Sequence, residues 1–198
     1  MCRGTITEER SAMFSSALRK ITIAIDRLSD VVAYFVKYLI LVLIFVLIYE
    51  VAARYIFNKP TIWALETSQM VFGSIGALCW GYTLKIGGHV RVDVFYTMLS
   101  KKKKAIVDVV MTFLFLFPIQ YILIHSGIKW TLFALKTGEK MVDSSWLPPS
   151  WPFRLVLTVG FILFFIQTLS ELTKNIYFIM KDDDLIEAQS EYVKEGLV

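Results

Sequence analysis

Residues 36–66 read VKYLILVLIFVLIYEVAARYIFNKPTIWALE. Up to Tyr49 the stretch is apolar apart from Lys37. A helix in water needs a polar face, and this one has none. Glu50 and Arg54 then follow at i, i+4, which puts them on one side of a helix with Glu first, the better order for such a pair. Asn58 accepts the left-handed conformation of a C-cap. Pro60 ends one helix and is tolerated in the first turn of the next, with Thr61 as the alternative cap. Trp63 and Glu66 open the returning segment. The stretch therefore predicts a tight antiparallel hairpin, with Glu50, Arg54 and Glu66 at one level and forming a three-member cluster. Snorkelling of Arg54 to the membrane surface is the simpler alternative, and ion coupling a third.

The rest of the chain extends this reading. Of 198 residues 56% are apolar, mean hydropathy is +0.59, and 19% are charged, below the roughly 25% usual in soluble domains. Four apolar runs, 31–57, 63–86, 106–130 and 152–176, each reach the ~20 residues needed to cross a bilayer. Backbone groups in hydrocarbon must pair within their own segment, so helix is the default for all four. The expected fold is an all-α integral membrane protein with four transmembrane helices over 31–176. A soluble bundle would need polar faces that FLFLFPIQYILI and LVLTVGFILFFIQTL lack.

Residues 1–30 carry Phe14, Leu18, Ile21, Ile25 and Leu28 at intervals of three and four. They predict an N-terminal amphipathic helix lying along the membrane interface. Extension of the first span into water is the alternative. The segment makes a poor signal peptide, since Glu8, Glu9 and Asp26 interrupt it. Fourteen lysines and arginines fall on the side of both termini and six on the other, with Lys37 uncounted. That asymmetry predicts cytoplasmic termini. The net charge of +4 does not point to nucleic acid, because the basic residues flank apolar runs. The lysine run 101–104 reads as a contact with anionic membrane lipid.

Gly87 and Gly88 are expected to end the second helix and turn the chain. After them HVRVDVFYTML fits a brief extended stretch followed by a helix. The outer connection, 131–151, gathers Trp146 and Trp151 around Pro148 and Pro149 and reads as a stiff amphipathic rim. Residues 177–198 form an acidic, polar tail.

Reactive constellations are missing. Cys2 and Cys79 give no disulfide framework, and His89 and His125 have no spaced metal-ligand partners. GSIGALCWG lacks the lysine of a phosphate loop; Gly73, Gly76 and Gly81 are better read as close-packing positions. His89 near Asp93 is a turn or partner contact rather than a catalytic pair. The expectation is a non-enzyme without cofactor or metal. Pro118 is expected to kink the third span.

The pattern E-x-x-x-R-Y-I-F-N-x-P-T-x-W-x-x-E, followed after a span by G-G-H-V-R-V-D, resembles the small membrane subunit of tripartite ATP-independent periplasmic (TRAP) transporters. The matching positions are Glu50, Arg54, Tyr55, Phe57, Asn58, Pro60, Trp63 and Glu66, then His89, Arg91 and Asp93. The resemblance implies a bacterial inner-membrane protein beside a large membrane subunit that carries substrate and sodium sites. It also implies a periplasmic binding protein delivering an organic acid or other carboxylate, taken up on an ion gradient. The small subunit would scaffold the large one and hold no substrate. A stand-alone small transporter acting as a homo-oligomer is the competing reading. A four-span electron carrier would need haem-ligating histidines at matched depth, which His125 alone does not supply.

Overall fold

A computed structural model describes residues 3–88 and 101–181, with side chains over 17–88 and 102–180. His89, Arg91, Asp93 and the polar tail beyond 181 lie outside the described residues. The described chain is helical. Helix α1 runs Arg3–Tyr55 and α2 Ala64–Lys85. Helix α3, Lys101–Met111, passes through a π-helical turn, Thr112–Leu116, into α4, Phe117–Thr137. Helix α5 spans Trp151–Lys181.

The N-terminal amphipathic segment is not a separate helix. It continues without a break into the apolar run, making one element of 53 residues, roughly 80 Å long at the helical rise. The reason is in the sequence: between Gly4 and Pro60 there is no glycine or proline to interrupt it. The hairpin appears as expected. Asn58 has φ 56°, and the Lys59 N–H reaches back to the Ala53 carbonyl at 2.9 Å. Gly87 ends α2 at φ 69°, with the Gly88 N–H on the Thr83 carbonyl at 2.9 Å. Pro118 lacks the N–H its turn requires and crowds the carbonyl four residues back, and the π-helical turn lies immediately before it.

Ala17–Tyr55, Lys102–Thr137 and Trp151–Met180 are long and apolar enough to cross a membrane, their most apolar 18-residue stretches having mean hydropathies of 2.8, 2.1 and 2.0. Helix α2 does not reach that standard, because Glu66, Thr67, Ser68 and Gln69 dilute its first turns.

Helix α5 is the hub and packs against α1, α2, α3 and α4, while α2 also packs along α1. At Gly160 α5 meets the backbone of α2 directly: a Cβ there would lie 2.8 Å from the Ala77 carbonyl. Of the three glycines expected at contacts, Gly73 lies against the Phe153 ring, where a Cβ would come to 2.7 Å. Gly81 is in ordinary contact with Gln167 and Ser29, and Gly76 faces open space. Between the helices many of the fully buried side chains are polar, among them Gln120, Gln167, Thr168 and Ser170. The outward faces carry Phe35, Phe45, Leu114 and Ile122, each more than 60% exposed. Polar groups bonded inside and apolar groups outside are the arrangement hydrocarbon demands.

Candidate functional site

Charged and polar side chains meet at two levels of the helix stack, called outer and inner after the orientation expected from the sequence. At the outer level, Glu50 joins the two arms of the hairpin. Its Oε1 accepts from Arg54 Nη2 at 2.6 Å and Nε at 3.1 Å. Its Oε2 accepts from the Thr61 backbone N–H at 3.1 Å and from the Thr61 hydroxyl. Thr61 therefore neither caps α2 nor stands free; it docks on the carboxylate of the preceding helix. Trp63 stacks on Tyr49 of α1, ring centroids 5.7 Å apart, so its ring packs within this chain. Pro60 is exposed at the turn.

Glu66 does not join that cluster. It is fully buried, and its Oε1 accepts from the Ser144 backbone N–H at 2.9 Å. The expected triad is thus a pair plus Thr61, while Glu66 fastens the outer connection to α2. The rotation of α2 decides this, since it turns Glu66 toward the loop rather than toward Arg54. The same connection is closed by backbone bonds: Met141 N–H to the Pro148 carbonyl at 2.8 Å, and Ser150 N–H to the Glu139 carbonyl at 3.0 Å. Arg154, at the start of α5, bonds Glu139 at 2.8 Å. Pro148 is buried in this fold-back, and Trp146 and Leu147 project outward at 44% and 43% exposure.

The inner level was not anticipated as a site. Lys174 Nζ bridges Asp26 Oδ2 at 2.9 Å and Glu171 Oε1 at 2.7 Å. Gln167 Nε2 donates to Asp26 at 2.9 Å, and Ser29 Oγ donates to Gln167 Oε1 at 2.7 Å. Lys85 pairs with Asp30 at 2.5 Å. This network ties α1, α2 and α5 together. Lys85 and Lys174 read from sequence as flanking cations; in the structure they are used between helices. The signal was present: 26, 29 and 30 on one helix, and 167, 170, 171 and 174 on another, form polar stripes at three- and four-residue spacing.

The two levels are set a fixed distance apart. Asp30 and Glu50 are twenty residues apart on α1, Arg154 and Lys174 twenty apart on α5, and Glu66 and Lys85 nineteen apart on α2. At 1.5 Å per residue that is ~30 Å, the thickness of a hydrocarbon core. Partnering offsets part of the desolvation of such charges. Among the described residues no group of His, Cys, Asp and Glu is arranged to hold a metal ion.

These features define a class: a helical membrane protein whose buried charged side chains hold its own helices and connections together. The chain belongs to the DctQ component family of the tripartite ATP-independent periplasmic transporters, whose family model matches residues 43–176. The matched region takes in the whole outer level and Lys174, and begins after Asp26 and Asp30. No curated protein matches the chain.

Proposed function

We propose that this chain is the small, non-catalytic membrane subunit of a TRAP transporter, crossing the bacterial inner membrane four times with both termini cytoplasmic. It scaffolds a large permease subunit, which takes up an organic acid or other carboxylate delivered by a periplasmic binding protein. An ion gradient, sodium by the family resemblance, drives the uptake.

The single observation that carries the scaffold reading is the placement of the buried polar groups. Among the described residues most of them are bonded at one of the two levels or pairwise between α4 and α5, Thr22 bonding only within α1, and these bonds do not join into a path from one level to the other. A static support fits that arrangement; a carrier with broken helices around a central site does not. The fourth span in this reading is α2. It runs from Glu66 at the outer level to Lys85 at the inner level and packs on α1 and α5, with Glu66 buried, Thr67 and Ser68 half-buried and Gln69 exposed.

The test is co-expression with the large permease subunit and the binding protein, followed by reconstitution in liposomes. The expected result is a one-to-one complex of the two membrane chains, and uptake that requires both together with a sodium gradient. Uptake by the large subunit and binding protein alone, or transport by this chain alone, would overturn the proposal.

A further inference from the structure

The chain presents two very different outward surfaces. Along α1 the exposed groups between the two levels are chiefly apolar, Phe35, Leu41, Val42, Phe45 and Ile48 among them; the exposed Lys37 lies over the Tyr34 ring, 3.6 Å from its centroid. Along α4 they include Tyr121, 69% exposed, and His125 one turn later, also exposed. The two rings stack at 5.8 Å with 6° between their planes. Lys129 continues the line a further turn on and is exposed as well.

The depth of His125 follows from its neighbours. Gln120 Nε2 meets Thr168 Oγ1 at 2.6 Å, and Thr131 Oγ1 lies 3.1 Å from Thr158 Oγ1. His125 therefore sits level with residues near 163 on α5, about halfway between Arg154 and Lys174. Ten residues from either level is ~15 Å, the middle of a hydrocarbon core. Among the described residues neither the imidazole nor the Tyr121 hydroxyl makes a hydrogen bond; each has only the other's ring. Acyl chains offer no partner for either group, and an unsatisfied polar group there costs free energy. Protein must cover this face.

A second copy is a poor cover. Around a two-fold axis along the membrane normal equivalent residues lie at equal depth, so two copies joined through this stripe would bring Lys129 toward Lys129. Like charges would oppose one another in the membrane. A different chain presenting hydrogen-bond acceptors complements the stripe.

Resting on the subunit reading above, we propose that the α4 face bearing Tyr121, His125 and Lys129 is where a transmembrane helix of the large permease subunit docks, with a carboxylate, amide or hydroxyl acceptor opposite His125. The apolar α1 face meets lipid.

A photo-crosslinking phenylalanine analogue placed at Tyr121, or at Phe45 on α1, tests this in the co-expressed complex. Tyr121 should crosslink to the large subunit and Phe45 should not. His125→Leu should lower the yield of copurified large subunit about fivefold, the loss of one intramembrane hydrogen bond, while His125→Asn retains most of it. A crosslink from Phe45 and none from Tyr121 would place the partner elsewhere and leave the subunit reading intact. A crosslink from Tyr121 to a second copy, or to lipid alone while the complex still copurifies, would overturn the docking face. Absence of any complex would sink both readings together.

Discussion

Lys174 Nζ lies 2.9 Å from Asp26 Oδ2, although 148 residues separate them in the chain. Both side chains are largely withdrawn from the surface, at 10% and 15% exposure. Removing one partner of such a pair leaves the other charge uncompensated. Lys174→Met is therefore expected to destabilise the chain by ~3 kcal/mol. The midpoint of heat-induced loss of monodisperse protein in detergent measures this. Asp26→Asn together with Lys174→Met should cost less than Lys174→Met alone, because only Glu171, and no longer Asp26 as well, is left without its cation.

At the outer level the two partners of Glu50 are not equal. The Arg54 side chain is 55% exposed, whereas Glu50 is 14% exposed. Arg54→Leu is expected to cost ~0.5 kcal/mol or less, as exposed ion pairs do. Glu50→Leu strands the Thr61 N–H and hydroxyl as well as the guanidinium, and should cost ~2 kcal/mol. Thermal midpoints of the two variants in one detergent give the ranking; Arg54→Leu as the more damaging change would contradict it.

What the sequence made legible was local. Asn58 and Gly87 carry the left-handed turns that follow α1 and α2, as their residue types suggest, and Glu50 with Arg54 obeys the four-residue spacing of a helix. Partner choice across helices was not legible. Glu66 bonds Ser144, 78 residues away, because helix rotation, set by Gly160 against Ala77 and Gly73 against Phe153, decides which way a buried side chain turns. Counting Lys85 and Lys174 as flanking cations missed their pairing. The long α1 was misjudged for a related reason. A change from an amphipathic to a uniformly apolar pattern marks a change of surroundings, not a break in the backbone.

The packing of α2 on α5 gives a paired test. A methyl group at Gly160 would come within 2.8 Å of the Ala77 carbonyl carbon and oxygen, which cannot rotate away. Gly160→Ala should destabilise the chain by ~1–3 kcal/mol through overpacking. Gly76 has nothing within 4 Å, so Gly76→Ala should be neutral, or stabilise by up to ~1 kcal/mol through helix propensity. Both are read as shifts in thermal midpoint of the isolated chain.

The Glu66 carboxylate holds the outer connection through a backbone N–H, not a side chain, and this separates two substitutions at Ser144. Ser144→Pro removes that N–H and should release the loop from α2. Ser144→Ala keeps it and loses only the Trp146 N–H to Ser144 Oγ bond at 3.1 Å, so the loop should stay docked. Glu66→Leu should behave like Ser144→Pro. A cysteine at Val142, a position 80% exposed, is accessible to reagents in every variant and serves as the control. A cysteine at Ser150, 4% exposed, is the reporter. Its alkylation should rise about tenfold in Glu66→Leu, equivalent to loss of a charge-assisted hydrogen bond of ~1.5 kcal/mol. Equal alkylation of the Ser150 cysteine with and without Glu66 would mean that the backbone bonds from Met141 to Pro148 and from Ser150 to Glu139 hold the loop by themselves.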